Sequence, residues 1–207
     1  VPDGSDYATL FAEICHEWDE AERDLKNAEL VCGEVIIPSI KELRYAGRRL
    51  AQALQLWGIA ENEEKIRHLL QDACFDCHRA RHDAIDAATA QISKVLVLAT
   101  DKLGYDVVLK VYPDFPKLFQ KLEAVRSKIV TSRGAAENRD KIYETIEHAD
   151  FPNLIETFRG FQSHEPLMTR MAKKQRQTAV IIIGLGILGV VVGLVAILVE
   201  VYLHFLR

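Results

Sequence analysis

Cys74-Phe75-Asp76-Cys77-His78 sets two thiols three residues apart with an imidazole directly behind the second. This is the CxxCH pattern for covalent haem attachment, in which the thiols add to the vinyl groups and the histidine ligates the iron. With His68 and His82 the same stretch also supplies donors of the kind zinc takes. Much further along, Arg159 and His164 form an RxxxxH pair. An imidazole beside a fixed cation can move a proton next to a bound anion, so this pair has the parts for general acid–base chemistry.

Spacing narrows these readings. Structural zinc sites draw on two separated ligand pairs, whereas these donors fall within about four helical turns and cannot converge on one ion within a single chain. The histidines are therefore expected on a solvated face, with no metal bound. The CxxCH run resembles that of cytochrome c′, a helical bundle, and the resemblance implies haem held by Cys74 and Cys77 with His78 as ligand. Such attachment happens outside the cytoplasm. Cys77 also lies on an apolar helical line, where a packed thiol is the ordinary outcome. The expectation is no cofactor. Cys15 and Cys32 likewise lie in helical patterns and are expected reduced.

The elements that position these residues are helices. Tyr7, Phe11, Ile14, Trp18, Ala21, Leu25 and Ala28 alternate four and three apart, with Ser5 or Asp6 as cap and continuation through Val35 toward Pro38. A second line is Ile40, Leu43, Gly47, Leu50, Leu54 and Trp57. A third runs from Ile66 through Leu70, Ala73, Cys77, Ala80, Ala84 and Ala88 to Ile92, ending near Gly104. A fourth starts at Tyr105, is interrupted by Pro113 and Pro116, and resumes through Leu118, Leu122, Val125 and Ile129 to Gly134. A short helix over Glu137 to His148 leads to Phe151, Leu154, Ile155, Phe158 and Phe161, and Pro166 separates these from the last helix. No run alternates with period two for long. The sequence predicts an all-α protein, an antiparallel helical bundle followed by one C-terminal transmembrane helix.

Thr178 to Val199 carry no charge over twenty-two positions, about 33 Å of helix, enough to span a bilayer core. The chain divides into a helical bundle over 1–166, a basic juxtamembrane segment over 167–177, the span over 178–199 and a short external tail over 200–207. Arg170, Lys173, Lys174 and Arg176 precede the span and Arg207 follows it. Positive residues stay on the cytoplasmic side, so the bundle is expected in the cytoplasm and the chain in the inner (plasma) membrane. Gly184, Gly186 and Gly189 make a formal GxGxxG, but no phosphate-binding strand–helix turn frames it. Gly186, Gly189, Gly193 and Ala196 instead share one helix face, the small-residue spacing that lets helices approach closely in lipid. Glu200 and His204 continue that face. They either line an assembled interior as polar groups or have reached the outer headgroups, Glu200 lying about 36 Å beyond Arg176.

The net charge of −4 gives no footprint for general nucleic-acid binding. Arg44, Arg48 and Arg49, and again Arg79, Arg81 and His82, read as solvated basic faces balanced by acids such as Glu42 and Asp83. Arg159 and His164 resemble the ribonuclease motif of the HEPN superfamily, and the overall organisation resembles small membrane-bound HEPN-like accessory proteins of bacterial defence systems. The resemblance implies that two protomers bring together Arg159 and His164 around a scissile phosphate; Gly160 and Pro166 predict a break in the helix there. The residues favour a non-enzymatic, membrane-anchored interaction or effector module. Its expected partners are membrane lipid, further copies of itself and a cytoplasmic protein, and its expected action includes forming a pore or triggering permeability. The alternative is a HEPN-like membrane-tethered ribonuclease, and a third reading is a c-type haem electron carrier.

Overall fold

The structure, a computed structural model, describes residues 4–134 and 138–205, and these are all-α: α1 (Gly4–Cys32), α2 (Ile37–Leu56), a 3-10 turn (Ala60–Asn62), α3 (Glu63–Leu103), α4 (Tyr105–Val111), α5 (Phe115–Gly134), α6 (Arg139–Thr145), a π turn (Ile146–Asp150), α7 (Phe151–Ser163) and α8 (Glu165–Phe205). The chain forms two compact units. One comprises Val1–Leu98 and Pro116–Gly160, the other Ala99–Phe115 and Phe161–Arg207.

In the first unit a helical bundle closes over the lines read from sequence. Every member of the α3 line from Ile66 to Ile92 is buried, as are Ile14, Ala21, Leu25 and Ala28 of α1 and Leu118, Leu122, Val125 and Ile129 of α5. The helix α2 departs from its predicted face. Leu43 is buried, but Ile40, Leu54 and Trp57 are exposed, and the packed face is Ser39, Leu43, Ala46 and Ala53. Three of those four side chains are small, which lets α2 lie close to α3, and the Ser39 hydroxyl donates to the Ala80 carbonyl at 2.8 Å, so the buried polar group is satisfied. Trp57 takes an edge contact with Tyr7, ring centroids 5.1 Å apart.

Boundaries follow backbone chemistry. The first helix begins upstream of the predicted cap, at Gly4, and stops at Cys32 rather than running to Pro38. Gly33 adopts φ +70°, a conformation that costs a side-chain-bearing residue, and donates back to the Glu29 carbonyl. Pro38 then sits in the first turn of α2, where its missing N–H is harmless. Gly104, at φ +86°, ends α3 in the same manner. The predicted start at Glu137 lies outside the described residues.

In the second unit α4 packs on α8. Val107, Val108, Phe115, Phe161, Met168 and Ala172 are buried together with an aromatic row, Tyr105–Phe115–Phe161–Tyr112, whose consecutive centroids lie 5.9, 5.8 and 5.7 Å apart. The helix α8 includes that packed base and runs without a break over 41 residues in all, Pro166 being absorbed in its first turn. Its large apolar side chains from Val180 to Leu198 are all exposed. Among the described residues, α8 is the one helix long and apolar enough to cross a membrane.

Candidate functional site

The densest chemistry in the first unit surrounds Arg81, which sequence spacing assigned to a solvated face and which is 2 % exposed. Its guanidinium faces four carboxylates: Glu147 at 2.7 Å, Glu17 at 2.8 Å, Asp24 at 3.4 Å and Glu20 at 3.7 Å. Three of these stand on one side of α1, and Arg23 closes over Glu20 and Asp24 from outside. The sequence held a signal for this. Glu17, Glu20 and Asp24 are spaced three and four apart beside the apolar line of α1, and Arg81 falls four after Cys77 on the packed side of α3.

The fourth carboxylate comes from the π turn. Pro152 has no N–H to return to the His148 carbonyl, and its ring crowds that carbonyl in a regular helix. The wider Ile146–Asp150 turn, closed by the Phe151 N–H on the Ile146 carbonyl, carries the chain past this obstacle and turns Glu147 inward. Such turns recur at functional positions. One Glu147 oxygen meets Arg81; the other, Oε1, has no hydrogen-bond donor, and His82 Nε2 lies 3.7 Å from it. His82 stacks on Tyr143 with centroids 3.5 Å apart, and the Tyr143 hydroxyl donates to Asp86 at 2.9 Å.

Desolvation sets the protonation of this group. Burial, reinforced by Asp24, Glu17 and Glu20 against the pull of Arg81, pushes Glu147 up to about 7. Burial, with the charges of His78, Arg139 and Arg81 adding to it, depresses His82 to about 3, so its ring is neutral. Burial also raises Asp24 despite Arg81 and Arg23. The cluster is thus a buried group of charges in which desolvation favours the protonated form of Glu147. Among the described residues no three His, Cys, Asp or Glu side chains are disposed to hold a metal ion.

The other sequence candidates sit as follows. Cys74 and Cys77 are both buried, Cys77 completely, and both thiols are pushed up to about 12, chiefly by burial. Cys74 Sγ lies 3.9 Å from His78 Nε2, while His78 Nδ1 is 3.4 Å from Glu17. A macrocycle bonded at Cys77 does not fit this packing. His68 is exposed beside Glu64. The helix α7 runs through Gly160, and the predicted break falls at the single residue His164, just before Pro166. Arg159 is exposed and donates to Asn27 at 3.1 Å in the first unit. His164, in the second unit, has its ring 5.4 Å from that of Tyr112 and its Nδ1 3.2 Å from the Ser163 hydroxyl. Of the other cations, Arg49 reaches buried Asp76 at 2.7 Å, and Arg79 lies over the Phe75 ring at 4.6 Å.

On α8 a Cβ added at Gly186, Gly189 or Gly193 meets nothing within 4 Å, so that side of the helix is open. Ala196 continues it at the same exposure class. The side chains of Glu200 and His204, and Arg207 as a whole, lie outside the described residues. No protein-family description, curated protein or solved structure matches this chain.

Proposed function

We propose that this chain is a single-pass inner-membrane protein that self-associates through Gly186, Gly189, Gly193 and Ala196 and presents its helical bundle to a partner in the cytoplasm. The observation that carries the reading is α8 itself: a continuous helix whose base is packed and basic and whose apolar length is wholly bare. Bare Ile, Val and Leu over this length are costly in water and at home in hydrocarbon. Lipid offers no hydrophobic force between helices, so association depends on close packing, and the open glycine face permits it. The four basic residues before the span, against one after it, support a cytoplasmic bundle.

Replacing Gly189 and Gly193 together by Leu tests the self-association. Leu inserts at least as well but holds backbones apart. Cross-linking in native membranes is expected to give oligomers for the wild type and chiefly monomer for the double variant. An identical ladder for both would remove the glycine face from the proposal.

A further inference from the structure

We infer that the foot of the transmembrane helix carries a binding groove for one anionic phospholipid, held by Lys173 and Arg176; this rests on the reading of α8 as a membrane span. The groove, about 620 Å³, lies within the second unit between the end of α3 and one face of α8. Thr169, Lys173 and Arg176 line it on the earlier turns of α8 and Val180 and Ile181 on the following ones, with Leu103 contributed by the end of α3. Two cations and four apolar side chains share the lining, and no carboxylate does. The acids nearby, Asp101 and Asp106, line an adjoining groove that shares Leu103, Ala172 and Arg176 with this one.

The vertical order matches an amphiphile. Thr178 opens the uncharged run, so Lys173 and Arg176 stand in its headgroup layer while Val180 and Ile181 lie at acyl depth. Arg176 is also held in position, since it donates to the Lys102 carbonyl, one of the last of α3. A guanidinium has five N–H donors in a fixed fork, so this bond leaves others for phosphate oxygens. Exposed Tyr105, which lines the neighbouring groove, suits the same interfacial layer. A zwitterionic lipid brings its own cation to this pair; an anionic one does not.

The test is native mass spectrometry of the full chain in detergent, with phosphatidylglycerol or phosphatidylcholine of matched acyl chains. The wild type is expected to retain one phosphatidylglycerol in preference. Lys173→Ala and Arg176→Ala should each weaken retention about fivefold. Lys174→Ala removes the same charge outside the groove and should leave retention unchanged. Equal retention of both lipids, or equal loss in the Lys173 and Lys174 variants, would overturn the inference in favour of none or of diffuse surface attraction. Glycerol 3-phosphate should fail to displace the lipid; displacement would overturn it by assigning the groove to a soluble phosphate. Alkaline carbonate extraction separates the two proposals. Extractable protein defeats the span, whereas resistant protein without lipid preference defeats the groove alone.

Discussion

The Arg81 guanidinium lies 2.7 Å from the Glu147 carboxylate, and neither side chain is more than 5 % exposed. One joins the bundle through the longest helix of its unit, the other through a π turn. A buried pair like this is strongly destabilising to break from one side, because the remaining charge has no water to return to.

Arg81→Met therefore leaves Glu17, Glu20, Asp24 and Glu147 without their buried cation. The expected loss is about 3–5 kcal/mol in urea unfolding followed by circular dichroism. Adding Glu147→Gln should recover part of it by removing one anion. A loss below about 1 kcal/mol would mean that the cluster is solvated in solution.

The pH dependence has a definite sign for each partner. Glu147, raised from 4.5 to about 7, holds its proton more tightly in the folded chain, so its contribution is full below 4.5 and is lost as pH rises toward 7. His82, lowered from 6.5 to about 3, does the reverse: its contribution is full above 6.5 and is lost as pH falls. Across the shared window they oppose each other. Relative to wild type, Glu147→Gln should gain stability with rising pH and His82→Phe should lose it, each by at most about 1.4 kcal/mol per unit. Parallel stability curves for wild type and Glu147→Gln would show that folding does not raise the pKa of Glu147.

Thiol chemistry offers an independent check on the core. Cys15 is exposed, whereas Cys74 and Cys77 are buried and resist ionisation. Iodoacetamide at pH 8 should modify Cys15 promptly and Cys77 only on unfolding, read by peptide mass spectrometry. Prompt labelling of Cys77 in the folded protein would contradict the packing of α3.

For topology, reporter fusions at the two ends should give a cytoplasmically active product at the N-terminal side and an externally active one at the C-terminal side. The reverse pattern would invert the orientation read from Arg170, Lys173, Lys174 and Arg176.

Much of the bundle was legible because helical periodicity and burial are the same fact in α1, α3 and α5. The α2 face was misread because size decides there: Ser39 and Ala46 are chosen for close approach, and a scan for large apolar residues passes over them. Arg81 was misread for a related reason. A charge inside a bundle is intelligible only with its partners, and Glu17 and Glu147 are distant in sequence. The end of the π turn is marked by Pro152, yet nothing local says that the chain will widen there instead of stopping. As for the site candidates, spacing put Cys77 on the packed line, whereas Arg159 and His164 gave a pattern that no local periodicity tied to a surface.

The unbroken run of α8 makes the helix a rigid shaft. Met168 and Ala172, seated in the second unit, fix its rotational phase, and no proline or π turn between them and Gly186 absorbs a twist. One added residue turns everything beyond it by about 100°. The direction in which the Gly186, Gly189 and Gly193 side of α8 faces is thus set at the base of the helix, by the seating of two side chains. Any change in that seating turns the glycine side of α8 by the same angle.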